Sequence, residues 1–150
     1  MEKQDHSRSA NFMKNDLSEV TKYARFKLSI EVKPEDIDAL GHVNNVVYLA
    51  WVQLVAATHW NMLSTAEIRS KNIWVALRHE IDYINPAYLG DEITGYTWVS
   101  SLEGVKSIRH VEFYLGEKCL AKAKTNWCLL DASTLKPKRI AQDIKILLEM

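Results

Sequence analysis

The chain has 150 residues, 47% of them hydrophobic, and 19 basic side chains balance 19 acidic ones. That is enough apolar material for one domain to bury a core without metal or disulfide support. Zero net charge offers no long-range attraction to nucleic acid or to an anionic membrane surface. The sequence shows no basic-then-apolar leader and no uncharged apolar run of about 18 residues, so the expectation is a cytoplasmic protein with no membrane span and no nucleic-acid partner.

Residues 1–22 are polar and charged, with His6, Ser7, Arg8 and Ser9 among few large apolar groups. Such a segment buries too little surface to offset its ordering entropy, which predicts a mobile tail over 1–22 and a single domain over 23–150. From Ala24 the pattern changes. Phe26, Leu28, Ile30 and Val32 alternate with Arg25, Lys27, Ser29, Glu31 and Lys33, the period of a strand with one wet face.

Pro34 ends that strand, and residues 36–48 then read Asp-Ile-Asp-Ala-Leu-Gly-His-Val-Asn-Asn-Val-Val-Tyr. Two carboxylates, a glycine, an imidazole and two amides thus directly precede the most hydrophobic helical stretch. A carboxylate beside a helix N-terminus meets unpaired N–H groups and the positive end of the helix dipole, a setting suited to anions and developing negative charge. The same residues also make an ordinary strand-to-helix turn with a good N-cap. The helix is predicted from Asn44 to Trp60. Between Val46 and Ala57 only Tyr48, Trp51 and Gln53 carry polar side-chain atoms, so it should be buried on most sides along roughly 25 Å. Ser64-Thr65-Ala66-Glu67 has capping-box spacing and predicts a short second helix with Arg69 and Lys71 exposed.

Four strand-like stretches follow, at about Trp74 to Tyr83, Glu92 to Ser101, Lys106 to Leu115 and Lys118 to Leu130. Pro86 with Gly90-Asp91, Glu103-Gly104 and Gly116-Glu117 separate them at the short spacings of an antiparallel meander. Residues 140–149 fit a terminal helix or a strand. The predicted class is α+β, a curved antiparallel sheet of about five strands around one long helix. Such a sheet leaves edges to cover, and pairing them across a two-fold axis predicts a homodimer, or a homotetramer built from it.

Spacing removes several chemistries. There is no Gly-x-Ser-x-Gly elbow, and glycines 41, 90, 95, 104 and 116 form neither a phosphate loop nor a dinucleotide fingerprint. His79-Glu80 begins like a zinc-protease signature, but position 83 is Tyr, and histidines 6, 42, 59 and 110 lack ligand spacing, so neither a metal nor a cofactor is expected. His59 and His79 read as structural histidines satisfied by hydrogen bonds. Cys119 and Cys128 stand an odd number of residues apart in one strand and so point to opposite faces, which argues against a disulfide. Cys128 reads as packing, with nothing visible to lower its pKa. Tryptophans 51, 60, 74, 98 and 127 read first as core or interface, and second as aromatic lining of a pocket.

Over about residues 24–140 the chain resembles the hot-dog-fold thioesterases, in particular the branch with 4-hydroxybenzoyl-CoA thioesterase-like and acyl-ACP thioesterase-like enzymes. The match rests on residues 36–49, on Ile81-Asp82-Tyr83 with Pro86 and Gly90-Asp91, and on Trp127, Leu130-Asp131 and Lys136-Pro137-Lys138-Arg139. The resemblance implies a thioesterase acting on an acyl-CoA, with the aspartate three positions before Gly41, Asp38, as general base or nucleophile rather than Asp36. His42 matches the acyl-ACP branch, but Leu40 stands where that branch has Asn, so its polar set is incomplete here. The implied substrate-binding residues are Gly41, Asn44, Asn45 and Tyr48, with Lys138 and Arg139 facing coenzyme A phosphates; Asn44 and Asn45 are in the first place helix caps, and 136–139 also reads as a solvated basic turn. Two other readings stay open: a non-catalytic acyl-CoA-binding or regulatory hot-dog protein, and an acyl-ACP thioesterase.

Overall fold

A computed structural model describes residues 25–149; the tail expected over 1–22 lies outside the described residues. Strand β1 (Arg25–Glu31) follows the alternation read from the sequence. Helix α1 runs over Asn45–Leu63 and is capped by Asn44, whose side chain accepts from the Val46 N–H. A second helix, α2 (Ala66–Lys71), starts one residue later than the capping-box spacing implied, with Thr65 as N-cap. The reason is local. The Ser64 N–H and hydroxyl both donate back to the Trp60 carbonyl, at 2.9 and 2.6 Å, so Ser64 closes α1 and is not free to open α2.

Strands β2 (Asn72–Tyr83), β3 (Glu92–Glu103), β4 (Lys106–Leu115) and β5 (Lys118–Asp131) complete one antiparallel sheet, and the undecided C-terminal stretch is helix α3 (Gln142–Leu148). The strand order is β1-β3-β4-β5-β2. The expected four-strand meander is therefore corrected to three strands, β3 to β5, with β1 outside β3 and β2 carried to the far edge beside β5. The segment between β2 and β3 is not a hairpin. Its Ile84 and Asn85 N–H groups donate to Leu120 O at 2.8 and 3.1 Å, while Gly90 N–H reaches Val32 O at 3.2 Å, so it spans the sheet end from β5 to β1.

Helix α1 lies across one face of this sheet, the hot-dog arrangement. Val52 and Val55 pack against Ile93, Val111, Phe113, Leu120 and Ala123. The approach is closest at Gly95, where a Cβ would meet Val55 Cγ2 at 3.0 Å and Phe113 Cε1 at 3.3 Å. A glycine there lets the helix sit down on β3. At the other end α3 seals a smaller cluster of Val99, Leu129, Ile140, Ile144 and Leu148. The helix is buried toward the sheet only: Val46, Leu54 and Met62 on its outer side are exposed, which corrects the expectation of burial on most sides. Among the described residues, no helix is long and apolar enough to cross a membrane.

Candidate functional site

The segment from Pro34 to Asn44 is built to present one carboxylate and retire another. Asp36 Oδ2 accepts the Lys33 N–H at 2.9 Å, closing the short turn Pro34–Asp36, and its carbonyl accepts the Asn44 N–H at 2.9 Å. Beyond it, Ile37 and Val43 form an isolated antiparallel bridge. Between these two residues the backbone closes tightly: Asp38 N–H donates to His42 O at 2.9 Å and Gly41 N–H to Asp38 O at 3.1 Å, with Gly41 at φ 89°. That φ lies in the left-handed region, which glycine enters without steric cost. The loop is pinned to the β2–β3 crossover by Val43 N–H on Ala87 O at 2.9 Å, with the His42 and Tyr88 rings edge-to-face at 6.4 Å.

Within that loop Asp38 Oδ1 accepts the Leu40 N–H at 2.9 Å, which fixes the carboxylate plane. Oδ2 faces His42 Nδ1 at 3.8 Å, too long for a hydrogen bond, and both side chains are partly solvent-exposed. Leu40, the departure from the acyl-ACP pattern, points into solvent. At the start of α1 the Asn44 side chain takes the Val46 N–H and its carbonyl the Val47 N–H, at 3.0 and 2.9 Å. The Asn45 amide is left as the first-turn donor with no protein acceptor among the described residues. Asn45 O in turn accepts from Tyr83 Oη at 3.1 Å.

Tyr48, one turn into α1, is in the core, ringed by Trp51, Tyr83 and Phe113 at centroid distances of 5.1, 5.6 and 5.6 Å. Its hydroxyl is buried without a partner among the described residues, and its pKa is pushed up to about 12, chiefly by burial and then by the charge of Asp91. Asp38, Gly41, His42, Asn44, Asn45 and Tyr48 are thus gathered at the N-terminal end of α1. Lys138 and Arg139 are not. They follow a turn bridged to β5 through Leu130 and Pro137, whereas the crossover beside Asp38 is tied to β5 at Leu120. At strand rise these points on β5 are about 30 Å apart. That distant turn is organised by Asp131, whose carboxyl is held down at about 2 by the Ser133 hydroxyl and the Thr134 and Ser133 N–H groups.

The C-terminal half of α1 carries a second polar assembly, which motif reading did not find. A cleft of about 660 Å³ opens between Ala56, Ala57 and Trp60 of α1 and strands β2, β4 and β5, and none of its lining belongs to residues 36–48. Three tryptophans, 60, 74 and 127, line it, so the second reading of the tryptophans applies to these, while Trp51 and Trp98 are buried elsewhere. Arg109 is also in the wall, only 6% exposed. Its Nη1 donates to His59 Nδ1 and Thr97 Oγ1, both at 2.9 Å. His59 is stacked on Phe26 and is neutral at pH 7, its pKa driven to about 4 by burial and secondarily by the Arg109 charge. Burial lowers Arg109 to about 10, which leaves it protonated. Next to Arg109 across the sheet, Thr125 pairs its hydroxyl with His79 Nδ1 at 2.8 Å. The sequence does carry a signal for this layer: Ser107 and Arg109 share strand phase with the core residues Val111 and Phe113.

Both cysteines are free thiols. Among the described residues, no three His, Cys, Asp or Glu side chains are grouped to hold a metal ion.

Solved structures share this fold. A probable thioesterase from Bartonella henselae superposes with a TM-score of 0.69 at 24% identity, covering 79% of this chain and 99% of its own. A 1,4-dihydroxy-2-naphthoyl-CoA thioesterase from Synechocystis gives a TM-score of 0.73 at 17% identity, over 83% and 95% of the two chains. A thioesterase from Thermus thermophilus, complexed with coenzyme A and Zn, gives 0.74 at 23% identity, over 85% and 92%. At these identities the likeness is one of fold. No protein of curated function matches in sequence. The sequence of residues 32–148, which includes the Asp38 loop and every strand but β1, matches the thioesterase-like superfamily, and the chain belongs to that family.

Proposed function

We propose that the protein is a cytoplasmic acyl-CoA thioesterase in which Asp38 delivers the oxygen nucleophile. The observation that carries the reading is the Asp38–His42 loop itself: a partly exposed carboxylate, held in plane by the Leu40 N–H, set directly before α1 in a chain of the thioesterase-like superfamily. Asp36 is taken up in closing a turn, which favours Asp38 of the two.

Hydrolysis needs an attacking oxygen, stabilisation of the oxyanion and departure of a thiolate that leaves without strong acid help. As general base, Asp38 takes a proton from water while the water oxygen bonds to the thioester carbon; the C–S bond then breaks and coenzyme A leaves as thiolate. As nucleophile, Asp38 itself bonds to the carbonyl carbon and expels the thiolate, and water opens the resulting mixed anhydride. In both routes the Asn45 amide, at the positive end of α1, is a donor available to the oxyanion, a contribution typically worth about 3 kcal/mol. His42 orients the water or polarises the carbonyl from its position beside Oδ2, and Tyr48 backs the acyl group.

A homodimer completes the reading. Among the described residues strand β2 is an unpaired sheet edge, and Ile73 and Leu77 on it, with Val46, Leu54 and Met62 on α1, leave an apolar side open. A two-fold axis through β2 runs the two α1 helices in opposite directions, which carries the 136–139 turn of one copy toward the Asp38 end of the other. Lys138 and Arg139 then have a use, as contacts to coenzyme A phosphates. The Thermus thermophilus neighbour, complexed with coenzyme A, supports that leaving group.

The test is thiol release over a panel of acyl-CoA and acyl-ACP thioesters. Turnover that Asp38→Asn abolishes in a folded protein supports the proposal. Saturable binding of acyl-CoA without hydrolysis assigns a non-catalytic role instead, and faster release from acyl-ACP moves the substrate to the carrier protein.

A further inference from the structure

Among the described residues Arg109 is a buried cation without an anion. Its two hydrogen-bond partners, His59 Nδ1 and Thr97 Oγ1, are neutral acceptors, and both bond to the same nitrogen, Nη1. The Thr97 hydroxyl, a neutral group, donates its own hydrogen bond to His110 O at 2.8 Å. Among the described residues no carboxylate pairs with the guanidinium. Burying an unpaired charge is costly, and folded proteins meet that cost with a counter-ion or lose the charge. Here the charge is kept, in the wall of an open cleft.

The rest of the cleft wall points the same way. Trp127 Nε1 and Asn72 Oδ1 are buried with no hydrogen-bond partner among the described residues, and both residues line the cleft; Asn72 is 8% exposed. The other cation in the wall, Arg69, is only partly buried, where water screens its charge, and its Nη1 caps the end of α1 on Asn61 O at 3.1 Å and on Ser64 O and Oγ at 2.6 and 3.1 Å. Among the described residues, then, one buried guanidinium without a carboxylate stands in the wall of a space otherwise lined by Trp60, Trp74, Trp127, Ala56 and Ile73. A single planar guanidinium matches a single planar carboxylate, whose two oxygens take parallel N–H bonds.

We propose that this cleft binds a carboxylate carried on an apolar body, with Arg109 as its ion-pair partner and the three tryptophans around the body. The site does not depend on thioester hydrolysis. The carboxylate has two sources, the far end of the acyl group of a thioester or a free acid bound separately.

The experiment titrates full-length protein with octanoate and benzoate, and with octanamide and benzamide as neutral counterparts, following tryptophan fluorescence and thermal shift. The expected result is saturable binding in which each acid is favoured over its amide by about tenfold or more, the scale of a charge-assisted pair. Arg109→Met removes that preference and keeps the amide affinity, and its melting temperature equals or exceeds that of the unliganded parent, since an unpaired buried charge has been replaced by an apolar side chain. If that variant does not fold, Arg109→Lys, which keeps the charge and loses the fork, and Arg109→Gln, which keeps a donor and loses the charge, each reduce the preference. Suberoyl-CoA and octanoyl-CoA then separate the sources. A preference for suberoyl-CoA in kcat/KM that falls away in the Arg109 variant identifies the acyl group; acid binding with no such preference identifies a separate ligand. Equal affinity for acids and amides, or a preference that survives all three substitutions, overturns the proposal. Failure to hydrolyse any thioester removes the proposed function and leaves the binding measurement standing.

Discussion

The two ends of α1 solve opposite problems with polar groups. At the N-terminal end the carboxylates of Asp36 and Asp38 are satisfied by backbone N–H groups two to three residues away, in a loop open to water. At the C-terminal end Arg109, His59 and Thr97 come from three different elements and meet under the helix, almost out of reach of water. Local bonds make the first end easy to build and easy to alter. The second end depends on the whole sheet being in place, so a substitution there acts on stability and on the cleft together. Reactive groups belong where they can change without unfolding the chain, and groups that select by charge gain strength where the dielectric is low.

Substitutions along the helix test this contrast, and the largest effect is expected at its N-terminal end. Asp38→Asn keeps an oxygen that accepts the Leu40 N–H, so the loop should survive while turnover falls by about 100- to 10,000-fold. Thiol-release kinetics with a melting curve would show it, and a lost fold instead of lost turnover would erase the contrast. Next comes Gly95→Ala on β3, opposite the middle of α1, where the new methyl meets Val55 and Phe113; about 1–3 kcal/mol of destabilisation by chemical denaturation is expected. Were the substitution neutral, the helix would not be seated on β3 as described.

The C-terminal end has a pH signature. Because His59 titrates at about 4 when folded, against an unfolded value near 6.5, the unfolded chain binds more protons between those limits. Stability from this group is complete above pH 6.5 and is lost as the pH falls toward 4. His59→Gln keeps an acceptor for Arg109 without a titrating ring, so the drop in Tm across that window should be smaller than in the parent by several degrees. The smallest effect is expected for Tyr48→Phe. A buried hydroxyl with no partner among the described residues adds no hydrogen bond to the fold, so its removal should be neutral or stabilising by up to about 1 kcal/mol. A fall in kcat with that stability unchanged would assign the hydroxyl to the substrate side.

Sequence periodicity located what depends on near neighbours. The alternation from Phe26 to Ile30, the unbroken apolar run of α1 and the turns at Gly104 and Gly116 are local signals, and each marks an element in the structure. The strand order is not a local property. Pro86 and Gly90-Asp91 suit a hairpin as well as a crossover, and the choice is made by Ile84 and Asn85 bonding to Leu120, a residue from a distant part of the chain. The same division applies to the polar groups. Residues 36–48 are contiguous and announce themselves as a unit, whereas the surroundings of Arg109 are assembled from α1, β3 and β4. Only its phase with Val111 and Phe113 marked Arg109 as inward-facing, and His59 and His79 could be read as structural because each does accept or share a hydrogen bond inside the fold.

The strand order also dictates a sequence of events in time. Glu103 pairs with Lys106 across a tight turn, and β5 returns on β4 in the same manner, so the three central strands close short loops. The outer strands cannot: Arg25 must find Trp98 and Asn72 must find Asp131, with all of α1 tethered between them. Loop closure of that length slows pairing and comes late. The central hairpins should therefore gain amide protection first during refolding, with β1 and β2 following together, and until they do the cleft beside Arg109 has only part of its wall.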